Sequence, residues 1–80
     1  MKTIYRPHAV DRMQEQNIST VEIEAILNTP DGKLKQSKDK FIFYKKLKGR
    51  SDNMIAAFSV VRNINFYEII TVMINFEVKK

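Results

Sequence analysis

Apolar residues change their spacing once along this chain of 80 residues. Ala9, Val10 and Met13 recur at helical intervals, and Pro7 suits a first helical turn because its missing N–H would be unpaired there anyway. The spacing predicts a helix over His8 to Gln16, ended by a turn at Asn17. Ser19 followed by Glu22 three residues later is a capping box and opens a second helix. Val21, Ile23, Ala25, Ile26 and Leu27 form its apolar face, and the breaker-dense run Asn28-Thr29-Pro30-Asp31-Gly32 closes it.

After Gly32 the period shifts toward two. Lys33 to Ser37 is a weak, polar strand, and Lys40 to Leu47 a better one because it carries aromatic and β-branched residues. Lys48 to Asn53 reads as a loop. Met54 to Arg62 has Met54, Ala56, Phe58 and Val60 on one face and Ile55, Ala57 and Val61 on the other. A strand apolar on both sides belongs in the middle of a sheet. Asn63-Ile64-Asn65 turns the chain into a last strand, Phe66 to Asn75, and the tail Glu77 to Lys80 is expected to fray. The expectation is one α+β domain over residues 1–80: two N-terminal helices followed by a four-stranded antiparallel sheet in two layers.

Composition removes several chemistries. There is no cysteine and one histidine, so thiol nucleophiles, Cys-ligated metals and His-rich metal sites are excluded, and no cofactor is expected. Two glycines are too few for a Gly-rich phosphate loop. The longest apolar runs, such as Met54 to Phe58, fall far short of the ~20 residues of a membrane span. With no apolar leader at the N-terminus, a cytoplasmic location is expected.

Charge is unevenly placed. The net +5 conceals a segment, Lys33 to Arg50, with eight basic residues against Asp39 alone, while residues 1–32 sum to −2. A basic segment interleaved with Phe41, Phe43 and Tyr44 suits a polyanion such as nucleic acid. The plain alternative is a lysine strand that keeps a sheet edge soluble and unpaired.

His8 and Arg12 are four apart and share one face of the first helix, away from the apolar stripe. A histidine exchanges protons near neutral pH, and an arginine one turn away can grip a phosphate and stabilise charge that builds on it. That is the minimum set for cleaving RNA without a metal; a surface pair on a solvated flank is the alternative. Arg62 ends a strand beside a turn, and Arg6 precedes the first helix near its anion-favouring end. Thr71 sits within an apolar strand, where its hydroxyl serves either the sheet or a site. Tyr44 and Tyr67 fit either base stacking or capping of the core.

The run His8-Ala9-Val10-Asp11-Arg12-Met13, then Ile18-Ser19, the turn at Asn28 to Gly32 and the strand Ile69-Ile70-Thr71-Val72 resemble the bacterial "domain of unknown function 4258" family over roughly residues 5–74. That family is grouped with RelE-like and BrnT-like toxins in the barnase–EndoU–colicin–RelE fold. The resemblance implies a RelE-like architecture and a metal-independent endoribonuclease that leaves a 2′,3′-cyclic phosphate. It maps the motif histidine onto His8, the motif arginine onto Arg12, a terminal-strand hydroxyl onto Thr71 and a basic strand residue onto Arg62. Where the family usually has Glu-Arg-Gly, this chain has Glu15-Gln16-Asn17, so a cation is missing from the helix end.

The expected function is therefore RNA cleavage by attack of a 2′-OH, as the toxin of a toxin–antitoxin pair. Its expected partners are RNA, free or on the ribosome, and an acidic antitoxin protein. Arg6, Lys45, Lys46 and Lys48 are the expected RNA-binding residues beside the catalytic candidates. A non-catalytic RNA- or ribosome-binding module and a protein-interaction domain are the alternatives that the residues alone leave open.

Overall fold

Both helices form where the capping residues place them. In the computed structural model, which describes residues 2–78, α1 spans Pro7–Glu15 and α2 spans Thr20–Asn28. Pro7 opens α1, and Ala9 and Met13 bury its apolar stripe. The helix closes on Asn17, whose φ of 55° is the left-handed conformation that Gly and Asn tolerate best. The Ile18 N–H reaches back to the Met13 carbonyl (2.8 Å) and the Asn17 N–H to the Gln14 carbonyl (3.3 Å), a Schellman closure with both apolar partners buried. Ser19 then caps α2: its hydroxyl accepts from the Glu22 N–H (3.2 Å) and the Glu22 carboxylate accepts from the Ser19 N–H (2.9 Å).

The sheet departs from the expected four antiparallel strands. It has five, β1 (Lys2–Tyr5), β2 (Gly32–Lys35), β3 (Lys40–Lys45), β4 (Met54–Asn63) and β5 (Phe66–Phe76), in the order β1-β5-β4-β3-β2. The four C-terminal strands pair antiparallel, but β1 adds in parallel to β5, from Lys2 opposite Phe66 to Tyr5 opposite Ile69. Four residues ahead of a proline carry too little alternation to announce a strand, and the partner that makes them one lies at the far end of the chain. β4 is central, as its two apolar faces require, and polar β2 is a short edge. The chain leaves the sheet after Phe76; Lys79 and Lys80, the end of the tail expected to fray, lie outside the described residues.

Both helices pack on one face of the sheet, α1 over β5 and α2 over β4 and β3. Between the layers Ala9, Ile23, Ile26, Ile55, Ala57, Ile69 and Val72 are almost fully buried. On the other face Ile42, Ala56 and Val60 are also buried, though no helix or strand among the described residues covers them. Tyr44, Phe58 and Phe76 share that face, with Phe76 packed 5.7 Å from Tyr44 and 6.0 Å from Phe58, centroid to centroid. No helix among the described residues is long and apolar enough to cross a membrane.

Candidate functional site

The sequence candidates divide between two sides of the sheet. His8 and Arg12 lie on one flank of α1, with Val10 on the other. His8 is exposed, and among the described residues its side chain makes no hydrogen bond. Arg12 bonds Glu15 three residues on (3.2 Å), a largely exposed pair. Thr71 pairs with Phe58, and the alternation along β5 turns it to the sheet face away from α1. The structure therefore separates Thr71 from His8 and Arg12 by the sheet itself.

It does bring two other candidates together. Arg6 stands immediately before α1, held to β5 by its N–H on the Ile69 carbonyl (3.0 Å). Arg62 sits near the end of β4, beside a register shift. Both guanidiniums reach Glu68 of β5: Arg6 Nε donates to Oε2 at 2.6 Å, and Arg62 Nη2 and Nε donate to Oε1 at 2.7 and 3.2 Å. The bonds from Arg6 and then Arg62 hold the Glu68 carboxyl below the usual carboxylate range. The cluster carries two positive charges against one negative; Glu68 pairs with Val60 and so lies on the same sheet face as Thr71, and Arg6 joins it from the start of α1, which has no side-chain cap and no acid in its first turn. Sequence spacing could not have shown this, because Glu68 gave no signal of its own.

The basic segment also divides. Lys45 turns toward the α2–β2 connection, where its ammonium donates to the Thr29 carbonyl (2.7 Å) and stands 3.9 Å from Asp31. Lys46 donates through Nζ to the Asp52 carbonyl (2.7 Å), and its backbone N–H binds the Asp31 carboxylate (2.8 Å). Lys48 is exposed. Arg50 is mostly covered and binds Asp52, Glu22 and the carbonyls of Gln16 and Asn17. It thus supplies a cation at the end of α1, where the chain has Gln16 in place of a basic residue. Lys33, Lys35, Lys38 and Lys40, on the β2–β3 hairpin, have no carboxylate within ion-pair distance among the described residues.

Two shallow grooves open on the helix side. The larger, about 280 Å³, runs beside α1 along Tyr5, Val10, Met13 and Ile18 and is almost wholly apolar. The smaller, about 150 Å³, is lined by Lys33, Phe41, Phe43, Val61 and Tyr67. Among the described residues no group of three or more His, Asp or Glu is placed to hold a metal.

A family model described as "Domain of unknown function (DUF4258)" matches residues 5–74. Comparison with curated proteins and comparison with solved structures each find no match. The family match takes in both helices and most of the sheet, from the end of β1 into β5. The chain belongs to the DUF4258 family.

Proposed function

We propose that this protein is a metal-independent endoribonuclease of RelE-like kind, acting as the toxin of a toxin–antitoxin pair. The observation that carries this reading is the pairing of Arg6 and Arg62 on the Glu68 carboxylate, with Arg6 two residues before His8 in the chain. Two guanidiniums that share the two oxygens of a carboxylate can likewise share the two non-bridging oxygens of a tetrahedral phosphodiester. RNA laid across this end of the molecule keeps its backbone near the unpaired lysines of the β2–β3 hairpin.

The chemistry needs one bond formed and one broken. The ribose 2′-oxygen attacks the adjacent phosphorus, the P–O5′ bond breaks, and a 2′,3′-cyclic phosphate and a 5′-hydroxyl result. His8 takes the 2′-OH proton or supplies one to the leaving oxygen, and water serves the other role. Arg6 and Arg62, with Arg12 one turn beyond His8 on α1, stabilise the extra charge on the phosphoryl oxygens. The acidic antitoxin would cover the same cationic surface.

Incubating RNA with the wild type, His8→Ala and Arg62→Gln tests the reading. Cleavage with cyclic-phosphate ends, lower by ~10²-fold or more in His8→Ala, is expected. Equal cleavage by all three, or none by the wild type across several RNAs, refutes it. A non-catalytic RNA-binding module is the second reading, favoured by the engagement of Arg6, Arg12 and Arg62 with carboxylates. Binding that survives His8→Ala with no turnover in the wild type identifies it.

A further inference from the structure

The smaller groove is a stretch of the helix-side sheet face that the helices leave open. Phe43 (7% exposed) is its most deeply buried lining residue, while Phe41, Val61 and Tyr67 are half-buried around it. Tyr67 meets Phe43 edge-on at 5.8 Å, and Phe41 lies 6.1 Å from Phe43. The ammonium of Lys33 stands 5.5 Å above the Phe41 ring, so the one charged lining residue is a cation held at an aromatic wall. Lys35 pairs with Phe41 across the hairpin and so projects to the same face, whereas Lys40, paired with Val60, projects to the other.

Apolar ligands alone would not call for this rim of unpaired lysines. A groove of about 150 Å³ is smaller than the ~300 Å³ at which ordinary small-molecule sites begin, so it takes one flat ring rather than a whole nucleotide. Aromatic walls stack a base through its π-face, while lysines follow the phosphates on either side. Bases paired in a duplex cannot reach such a recess.

Resting on the reading of the chain as an RNA-acting protein, we propose that this groove seats a single unstacked base of single-stranded RNA, with Lys33 and Lys35 on the flanking phosphates. The site commits the protein to single-stranded RNA and leaves duplexes to weak electrostatic contact.

The test uses a short 2′-O-methyl oligoribonucleotide, which cannot undergo attack by a 2′-OH, carrying one 2-aminopurine. Binding is followed by anisotropy and stacking by quenching of the 2-aminopurine. The full chain is expected to bind this strand at least tenfold more tightly than the same sequence in a duplex and to quench the probe. Tyr67→Leu should weaken binding about tenfold, within the range of one lost base stack. Lys33→Gln should reduce the slope of log affinity against log salt by about 0.7. Lys2→Gln, on β1 at the opposite edge of the sheet, should leave the quenching unchanged. The wild-type quenching stands whether or not Tyr67→Leu folds. Failure to bind, binding without quenching, or Lys33→Gln and folded Tyr67→Leu behaving as wild type each overturns the base seat. Quenching without any RNA cleavage supports the seat and removes the nuclease. Cleavage without quenching removes the seat and leaves the nuclease.

Discussion

Arg50→Met removes the cation that joins three separate pieces of chain and keeps most of its hydrocarbon stem. The Arg50 side chain is 17% exposed. It donates to Asp52 at 2.6 and 3.0 Å, to the Asn17 carbonyl at 2.8 Å and to the Gln16 carbonyl at 3.1 Å, with Glu22 further off at 3.3 Å. It thereby ties the β3–β4 loop to the end of α1 and the start of α2. Charge-assisted bonds are worth about 1.5–3 kcal/mol each when water is kept away, and exposed pairs about 0–1. The two carbonyls recover water once the side chain is gone, so they contribute at the low end. Asp52 is 19% exposed and loses its closest partner, so it sets the larger share. Together these give a loss of about 2–3 kcal/mol, and for a domain this small a fall in Tm of roughly 10–20 °C. Urea and thermal unfolding followed by circular dichroism measure it. Lys48→Met, two residues away and exposed, is the control and should stay within ~0.5 kcal/mol. A double-mutant cycle with Asp52→Asn should recover a coupling of about 1 kcal/mol or more. An Arg50→Met variant as stable as Lys48→Met would refute the reasoning, because the bonds would then add nothing beyond what water supplies.

Three further outcomes follow from the same structure. Gly49 has a φ of 82° and open space around the position of a Cβ, so Gly49→Ala should cost about 1–2 kcal/mol in urea unfolding through backbone strain alone. Ile55 is fully buried in the central strand, and Ile55→Ala should cost about 2–5 kcal/mol by the same measurement; a loss under ~1 would mean that the core closes over the gap. Acid should destabilise the fold through two carboxylates. Burial pushes the Glu22 carboxyl up, but the Ser19 N–H and the Arg50 guanidinium outweigh it and hold it low, while Glu68 is held low by Arg6 and then Arg62. Both folded-state values lie below the ordinary 4.5, so their contribution is fully present above about pH 4.5 and is lost as pH falls through the folded values. The urea midpoint should therefore hold between pH 7 and pH 5.5 and drop below about 4.5, less steeply in Glu22→Gln.

Much of the fold was legible because its signals are local. Pro7, the pair Ser19 and Glu22, and the breakers from Asn28 to Gly32 each act within a turn of themselves, and they bound the two helices where the structure has them. The two apolar faces of β4 placed it at the centre for the same reason: burial on both sides is written into its own alternation. β1 was not legible, since four residues become a strand only when β5 offers an edge in parallel register.

The candidate site was less legible than the fold. The spacing of His8 and Arg12 shows that they share a helix flank, and it carries no information on what stands opposite. Thr71 fell on the far face because a register shift and strand alternation decide where a β5 side chain points. Charge counting could not separate Arg50, Lys45 and Lys46, drawn into hydrogen bonds by turns that fold back on them, from the lysines of the hairpin that remain in water. Sequence by itself thus determined the elements, the central strand and the sign of the surface, all consequences of residues near one another in the chain. Only the tertiary structure decided the fifth strand, the meeting of Arg6 and Arg62 on Glu68, and the open aromatic groove beside Lys33. Each of these joins residues from distant parts of the chain, and its geometry exists only once the layers have packed.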